Sequence, residues 1–338
     1  MNASGPTPPK ATIYDVAKRA GVSKSLVSNV LRGEGYVSDE ARERVQAAIK
    51  ELNYRPSRHA QQLASNKTKS IGVVITDYKN LSYVNVVAGL REVFDDAGYQ
   101  VIISDIHRSS NFSEDPVDAF ASMQVDGLVF IVEPAGLNTR NLHVPCVMIG
   151  ERENLVDNSD LVFSDDLVGT RLAIDHLRNL GHTKIAHLTG IGGIALNRRK
   201  AYQKLMKKYG LATTTHGLTQ PTTEIGGYMG AKELLQSGNE FTAIYAANDY
   251  MAAGAISALK ESGLQVPNDV SIVGYDNAPI ASNWLMKITT VDDMGSAVGR
   301  NAATIILERI GEKVRSEPRR VLLEPDLVMR SSTAKPRS

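Results

Sequence analysis

Residues 21–33, GVSKSLVSNVLRG, carry side chains whose chemistry suits contacts with nucleic acid. A helix over residues 22–31 would turn a mixed set of side chains outward, with cations, hydroxyls, an amide and one leucine. These side chains are Lys24, Ser25, Leu26, Ser28, Asn29 and Arg32. Such groups hydrogen-bond base edges and phosphates. The pattern favours DNA binding over a three-helix domain with a solvated outer face.

A second stretch, GIGGIA at residues 190–195, matches the glycine pattern of a dinucleotide-binding loop. It follows the apolar stretch KIAHLT and precedes a helical stretch. The acidic residue expected about 20 positions further on, which would hold a ribose, is absent from residues 210–220. We interpret these glycines as a turn, or as a place where backbone approaches a ligand, rather than as a nicotinamide or flavin site.

The sequence contains no nucleophile elbow, Walker loop, HExxH motif or metal-ligating cluster. Its single cysteine, Cys146, excludes a disulfide framework and is interpreted as a core residue on a strand. We therefore expect a protein that is not an enzyme and that holds no cofactor and no metal.

Apolar spacing predicts three short helices at the start of the chain, over residues 13–20, 22–31 and 39–52. The N-caps of these helices are assigned to Thr12, Ser23 and Ser38. Two helices joined by a tight turn at Gly21 form a helix-turn-helix arrangement. Residues 1–67 hold 11 Lys and Arg against 6 Asp and Glu, whereas the remainder holds 27 against 31, so the positive charge lies where DNA would be met.

From residue 71 onward, apolar strands alternate with amphipathic helices. The strand-like stretches are IGVVIT, QVIIS, DGLVFIV, CVMIG, KIAHLTG, FTAIYA and VSIVGY. Such runs predict parallel sheets covered on both faces. Because this region is longer than one sheet usually holds, we expect two α/β lobes with a ligand cleft at the carboxyl ends of the strands.

Two further features concern location. No apolar run reaches the roughly 18 residues of a membrane span, so no membrane partner is expected. The N-terminus, MNASGPTPPKAT, lacks the apolar core of a signal peptide, so a cytoplasmic protein is expected.

Longer motifs extend from about residue 12 to residue 330. They are TIYDVAKRAGVSKSLVSNVLRG, VSDEARERVQAAIKELNYRPSRHAQQLAS, IGVVITD, GTRLAIDHLRNLGHTKIAHLTG, AIYAANDYMAAGAISALKESGLQVPNDVSIVGYDN and ITTVDDMG. In combination they resemble the LacI/GalR family of bacterial transcription regulators. The resemblance implies a homodimer that binds double-stranded, pseudo-palindromic operator DNA, with one half-site for each head and the two hinge helices at its centre.

The resemblance also implies residue roles at the DNA. Base edges would be read by Lys24, Ser25 and Asn29, and phosphates or flanking bases would be met by Thr12, Ser23, Ser28 and Arg32. In the hinge, Ser57 and Arg58 would lie on the DNA backbone, and Ala60 and Leu63 in the minor groove. From the residues alone, an ordinary linker with Leu63 lying on the body is the favoured interpretation of this segment.

The chain departs from many relatives at Leu26 and Asn29, where they carry Thr and Arg. Asparagine pairs with adenine, whereas arginine pairs with guanine. Leu26 could cover a thymine methyl but cannot bond a phosphate. We therefore expect a half-site that differs from those of relatives at the Asn29 contact.

For the rest of the chain, the resemblance implies a periplasmic sugar-binding fold with three crossings between its lobes. The family's pocket positions correspond here to Asp77, Ser82, Tyr83, Asp166, Arg198, Asn248, Asp249 and Asp276. An arginine opposite carboxylates can bracket sugar hydroxyls, so a sugar or polyol effector is favoured. A purine needs similar groups, and for Asn248 and Asp249 helix capping is an equal alternative.

We thus predict a helix-turn-helix head (1–55), a hinge helix and linker (56–69) and a two-lobe α/β body (70–338) with parallel sheets. Lobe one would comprise residues 70–165 and 293–320, and lobe two residues 166–292 and 321–332. The predicted function is that of an allosteric repressor controlled by a small molecule, with a corepressor-dependent purine or metabolite sensor as the alternative. Two other classes are disfavoured. A solute-binding protein would need export and would have no basic head. A dinucleotide enzyme would need an acidic residue to hold the ribose, which this sequence lacks. The tail SSTAKPRS contains no leucine heptad, so a dimer is expected.

Overall fold

The computed structural model describes residues 11–32, 35–54, 67–78, 81–106, 115–134, 136–140, 142–152, 154–312 and 316–337. The chain divides into two compact units, residues 1–68 and 69–338. The first unit contains the head, and the second is the body.

The head consists of three helices, α1 (Ile13–Ala20), α2 (Lys24–Arg32) and α3 (Asp39–Glu51). The Thr12 hydroxyl accepts a hydrogen bond from the Asp15 N–H, and the Asp15 carboxylate accepts one from the Thr12 N–H, so a capping box starts α1. Gly21, at φ 66°, ends α1 in the left-handed conformation that glycine adopts without strain. The hydroxyls of Ser23 and Ser38 accept hydrogen bonds from the first turns of α2 and α3. The apolar faces meet at three fully buried valines, Val16, Val27 and Val45.

The described part of the body contains twelve strands and seven α-helices. The strands are β1 (Ser70–Ile75), β2 (Gln100–Asp105), β3 (Gly127–Phe130), β4 (Cys146–Ile149), β5 (Asp160–Ser164), β6 (Ile185–Leu188), β7 (Thr214–His216), β8 (Ala243–Ala246), β9 (Ser271–Tyr275), β10 (Thr289–Asp292), β11 (Arg320–Leu323) and β12 (Asp326–Val328). The helices are α4 (Val84–Asp96), α5 (Pro116–Ser122), α6 (Asp166–Asn179), α7 (Gly193–Lys208), α8 (Glu224–Gln236), α9 (Asp249–Glu261) and α10 (Gly295–Gly311). None of the helices described here is long and apolar enough to cross a membrane.

The strands form two six-stranded sheets, one in each lobe. The first has the order β11-β5-β4-β3-β1-β2 and is parallel throughout. The second has the order β12-β10-β9-β8-β6-β7 and is parallel except for the β10–β12 pair. The chain passes between the lobes three times, after β5, after β10 and after β11.

One predicted lobe boundary is wrong. Residues 321–332 were assigned to lobe two, but β11 pairs in parallel with β5, from Arg320 opposite Leu161 to Leu323 opposite Ser164. This strand therefore completes the first sheet, and the last crossing lies between Leu323 and Asp326. The isolated short strand carries no signal that tells which sheet edge it joins.

Helices cover both sheets at close range. A Cβ on Gly299 of α10 would lie 2.1 Å from the Val86 carbonyl oxygen of α4, and a Cβ on Gly254 of α9 would lie 1.9 Å from the Glu224 carbonyl oxygen of α8. Both pairs of helices thus touch through backbone, which only glycine permits. Behind α4 and α10, the strands β1, β3 and β4 contribute fully buried residues such as Ile71, Val129 and Val147.

Candidate functional site

The outer side of α2 presents part of the predicted DNA-contact set. Lys24 and Ser25 are exposed, and Ser28 and Asn29 are half-buried. The Asn29 amide nitrogen lies 3.4 Å from the position that a Cβ on Gly35 would take, so this side chain lies beside Gly35.

Three other predicted DNA contacts stabilise the fold of the head. Thr12 and Ser23 use their hydroxyls as helix caps. Leu26 was expected to be exposed, and this is wrong: it is half-buried and packs against the core of the head. The apolar pattern of α2 did not predict this burial. A helix that packs against two other helices, here α1 and α3, buries a wider part of its surface than one apolar face.

The remaining predicted contacts cannot be placed. Arg32 lies in α2, and its side chain is outside the described part of the chain. Ser57, Arg58, Ala60 and Leu63, the predicted hinge contacts, also lie outside the described residues.

A cavity of about 310 Å³ lies between the two lobes of the body. Its walls include residues within three positions of the ends of parallel strands, such as Glu133 after β3, Asn248 after β8 and Asp276 after β9. The loop of the GIGGIA stretch, residues 191–195, also lines it. The carboxyl ends of parallel strands are where open α/β sheets bind ligands.

Three predicted residues form an ionic cluster in the cavity wall. Arg198 donates from Nε to Asp166 Oδ1 at 3.0 Å and from Nη1 to Asp276 Oδ1 at 2.7 Å. Nη1 also donates to the Ala247 carbonyl oxygen at 2.6 Å, and the guanidinium lies 3.6 Å from the centre of the Tyr275 ring. All three charged side chains are less than one-tenth exposed. The cluster therefore presents fixed carboxylate oxygens and one guanidinium to the cavity.

Burial dominates the electrostatics of this cluster. Burial raises the pKa of Asp276 to about 7, against the opposing effect of the Arg198 guanidinium. Burial followed by the Asp276 charge raises the pKa of Asp293, another cavity residue, well above its ordinary value. Low effective dielectric in the cavity thus strengthens any hydrogen bond that a ligand makes there.

The backbone at Asp276 is itself strained. Asp276 and the following Asn277 both have positive φ, 95° and 47°. The Nδ2 of Asn85, in α4 of lobe one, donates to the carbonyl oxygens of both residues, at 3.3 and 3.1 Å. The Arg330 guanidinium donates to Asn277 Oδ1 at 2.7 Å. This turn is therefore held from both lobes.

Of the other predicted effector residues, Ser82, Tyr83 and Asn248 line the cavity. Burial raises the pKa of Tyr83 to about 12, which keeps its hydroxyl a hydrogen-bond donor. Asn248 also caps α9, accepting from the Met251 N–H at 2.8 Å, so it has the predicted capping role and lies in the cavity wall as well.

Asp77 and Asp249 are not part of the cavity wall, contrary to prediction. Both carboxylate oxygens of Asp249 are engaged elsewhere, by the Ala278 N–H at 2.7 Å and the Thr290 hydroxyl at 2.6 Å. Asp77 follows β1 close enough to Tyr83 for its charge to raise the pKa of that phenol. Adjacent residues at a strand end point in different directions, and sequence alone does not tell which faces the ligand.

Several polar residues of the cavity were not predicted from the sequence. Arg152 follows β4 and donates to the carbonyl oxygens of Ile149 and Ile131, at 3.2 and 3.1 Å. Burial lowers the pKa of Arg152, and the nearby Glu133 carboxylate opposes this. The Ser164 hydroxyl at the end of β5 is buried without a hydrogen-bond partner among the described residues. Their position just after apolar strands was the available signal.

Chemically, the cavity offers both apolar and hydrogen-bonding surface to a small molecule. Tyr83 and Phe163 offer aromatic surface, and the ionic cluster offers bidentate hydrogen bonding. In the part of the chain that the structure describes, no group of three or more His, Cys, Asp or Glu side chains is placed to hold a metal ion.

Comparisons with known proteins match both units. The profile of bacterial regulatory proteins of the lacI family matches residues 12–57, and that of the periplasmic binding protein-like domain matches residues 174–333. The HTH-type transcriptional repressor PurR of Histophilus somni is 32% identical over 330 residues, which are 95% of this chain and 98% of that protein. The PurR repressor of Escherichia coli is 33% identical over 336 residues, 96% of this chain and 97% of that protein.

Solved structures give the same result. The lac repressor dimer bound to operator and the anti-inducer ONPF has a TM-score of 0.81 at 30% identity, covering 96% of this chain and all of that one. The CelR–cellobiose complex has a TM-score of 0.68 at 27% identity, covering 95% of this chain and 99% of that one. A regulator from Enterococcus faecium with bound ribose has a TM-score of 0.70 at 25% identity, covering 79% and 100%.

A helix-turn-helix head joined to a two-lobe body with a ligand cavity defines a DNA-binding transcription regulator. The curated relatives are transcription regulators, not enzymes. The chain belongs to the lacI family of bacterial regulatory proteins, as a DNA-binding transcriptional repressor. The family and fold predicted from the sequence are confirmed.

Proposed function

We propose that this repressor binds a pseudo-palindromic operator as a homodimer, and that a sugar or polyol in the cavity between the lobes sets its operator affinity. The observation that carries the effector class is the Asp166–Arg198–Asp276 cluster in the cavity wall. Adjacent hydroxyls can each accept from a guanidinium and donate to a carboxylate, so this cluster fits a vicinal diol.

The apolar wall supports the same ligand class. Tyr83 and Phe163 supply aromatic surface against which the C–H face of a sugar ring can pack. The cellobiose and ribose found with two structural relatives belong to this class. A cavity of about 310 Å³ is at the lower end of the size of small-molecule sites.

At the operator, Lys24 and Ser25 are proposed to read base edges, with Asn29 contacting the base at which this half-site departs from those of relatives. Lys24 and Ser25 are exposed on the first turn of α2, the part of a recognition helix that meets bases. The remaining proposed contacts keep their roles as expectations: Thr12, Ser23, Leu26, Ser28, Arg32, Ser57, Arg58, Ala60 and Leu63.

A purine corepressor is the second candidate. Tyr83 could stack on a planar base, and the carboxylates Asp166 and Asp276 could accept from its ring N–H groups. Inducer and corepressor differ only in the sign of the coupling, and in both cases operator and effector alter each other's affinity by the same factor.

The test is a thermal-shift screen of neutral sugars, polyols and nucleobases, followed by gel shifts on the DNA upstream of its own gene. We expect a sugar or polyol to raise the melting temperature and to change operator affinity. Asp276→Asn should abolish the shift, whereas Asp95→Asn, an exposed carboxylate of α4, should keep it. A shift with nucleobases alone would favour the purine, and absence of sequence-specific DNA binding under every condition would refute the operator proposal.

A further inference from the structure

Tyr14 of α1 lies beside Lys24 of α2 on the surface of the head. The Lys24 ammonium is 4.9 Å from the centre of the Tyr14 ring, and Nζ donates to the Tyr14 hydroxyl at 3.3 Å. The two side chains thus combine a cation–π contact with a hydrogen bond.

The backbones that carry this pair are fixed. The capping box between Thr12 and Asp15 holds the first turn of α1, and the Ser23 hydroxyl holds the first turn of α2 through the Leu26 N–H. Behind them, α1 and α2 share a buried core. What remains free to move is the four-carbon stem of Lys24, which is among the most flexible side chains. Tyr14 is the contact that restrains it.

Tyr14 contributes little to the packing of the head. Its side chain is 64% exposed, and it is not part of the buried core of the head or of the apolar residues packed against it. Its hydroxyl accepts from Lys24, which leaves the phenolic proton available for another acceptor. An exposed aromatic ring held against a cation at the start of a recognition helix therefore fits a role at the DNA.

We propose that Tyr14 is a positioning residue for base recognition. It directs the Lys24 ammonium towards guanine, whose O6 and N7 are the acceptors that lysine reads in the major groove, and it thereby sets the base preference at the half-site position that Lys24 contacts. This inference rests on the proposed function, because it takes Lys24 as a base contact.

The experiment is selection of binding sites from random double-stranded DNA by the full-length chain, in wild type, Lys24→Ala, Tyr14→Leu, Tyr14→Phe and the double variant Tyr14→Leu/Lys24→Ala. Lys24→Ala identifies its position by the loss of guanine preference there. Tyr14→Leu should weaken that preference about two- to fivefold, as expected for an exposed cation–π contact, and leave other positions unchanged. Tyr14→Phe, which keeps the ring, should lose less, and the double variant should match Lys24→Ala.

Tyr36→Leu is the matched control, because Tyr36 is an exposed tyrosine of the same head, and it should change no position. The inference is overturned if Tyr14→Leu leaves the Lys24 position unaltered, or weakens all positions equally as loss of a phosphate contact would. It is also overturned if Lys24→Ala changes no preference while the wild type still selects a site, a result that leaves the repressor function intact. A wild type that selects no site refutes the proposed operator function itself.

Discussion

Arg198 is the residue on which the effector cavity depends. It satisfies two buried carboxylates, Asp166 and Asp276, and one backbone carbonyl at the same time. A buried ionic cluster contributes little net stability when complete, because desolvation offsets the attraction, but its loss is costly. Arg198 therefore serves mainly to fix the carboxylates where a ligand can reach them.

Replacing Arg198 should make the free energy of unfolding depend on pH in a way that reports on the two carboxylates. Arg198→Met leaves both carboxylates unpaired, and we expect it to lower the free energy of unfolding by about 3–5 kcal/mol near pH 8. Because the pKa of Asp276 is already raised by burial, the carboxyl of the variant takes up a proton as the pH falls, and the loss should shrink near pH 5.5. Denaturant unfolding at both pH values measures this, with Arg198→Met/Asp276→Asn as the partly restored control. An equal loss at both pH values would contradict the explanation.

His187 should make the protein less stable as the pH falls, whereas the loss caused by Arg198→Met should shrink as the pH falls. It is fully buried, is stacked between Tyr202 and Tyr245, and lies 2.9 Å through Nδ1 from the Tyr245 carbonyl oxygen. Burial lowers the pKa of His187 to about 3. The unfolded chain therefore binds a proton that the folded chain excludes between about pH 6.5 and 3, so stability is lost as the pH falls through that range.

The matched variant is His187→Phe, which preserves the stacking and removes the titrating group. The free energy of unfolding of the wild type should fall relative to that of the variant by up to about 1.4 kcal/mol per pH unit between about pH 6 and 4. Denaturant titrations across this range compare the two slopes. Parallel slopes would show that the protonation of His187 does not oppose folding.

At the scale of elements, glycine decides how closely the paired helices pack. In lobe one, α4 and α10 meet at Gly89 and Gly299, where a Cβ would lie 2.0 Å from the Ser296 carbonyl oxygen and 2.1 Å from the Val86 carbonyl oxygen. Asp293 lies in the second crossing, between β10 and α10, and Asn85 lies in α4, so the spacing of these two helices also affects where both residues lie near the cavity.

Gly299→Ala should therefore destabilise the body. The added methyl meets backbone, which cannot rotate away, and we expect a loss of about 1–3 kcal/mol. Gly311→Ala at the end of the same helix is the control, because no described atom lies within 4 Å of its added methyl, and it should be neutral or stabilising by up to about 1 kcal/mol. Thermal and denaturant unfolding measure both. Equal effects of the two substitutions would mean that helix propensity, not close contact, governs these sites.

At the scale of the whole body, two side-chain amides join the lobes beside the cavity. Asn85 of lobe one donates to the backbone of Asp276 and Asn277, and Asn197 of lobe two donates to the Glu151 carbonyl oxygen at 3.1 Å. The first contact reaches the strained turn whose Asp276 side chain faces the effector cavity. A movement of that turn would therefore act directly on α4 through the hydrogen bonds of Asn85.

Asn85→Ala should weaken the coupling between effector and operator. We expect the coupling free energy to fall by about 0.5–2 kcal/mol, because the link from the Asp276 turn to lobe one is lost. It is measured as the ratio of operator affinities with and without the compound found in the screen. Asn301→Ala, an exposed amide of α10 bonded within its own helix, should leave the ratio unchanged. An unchanged ratio in Asn85→Ala would exclude this contact from the coupling.

Much of the architecture was predictable from local pattern. The periodicity of apolar residues predicted the three helices of the head and the alternation of strands and helices in the body, because burial of one face leaves a period in the sequence. The cap residues Thr12, Ser23 and Ser38 were predictable because a hydroxyl before an apolar run satisfies the free N–H groups of a helix start. The motifs as a set predicted the family.

The sequence by itself thus determined the three helices of the head, the alternation of strands and helices in the body and the kind of protein, since these depend on patterns within short windows. It did not predict the short strands β5, β7, β10, β11 and β12. Only the tertiary structure decided which neighbours at a strand end line the cavity. Asp276 lines it and Asp249 does not, and Arg152 and Ser164 line it although only their position beside apolar strands indicated this. The tertiary structure also placed β11 in the first sheet and brought Tyr14 to Lys24. These outcomes depend on the direction of side chains and on contacts between segments far apart in the chain, which no local pattern specifies.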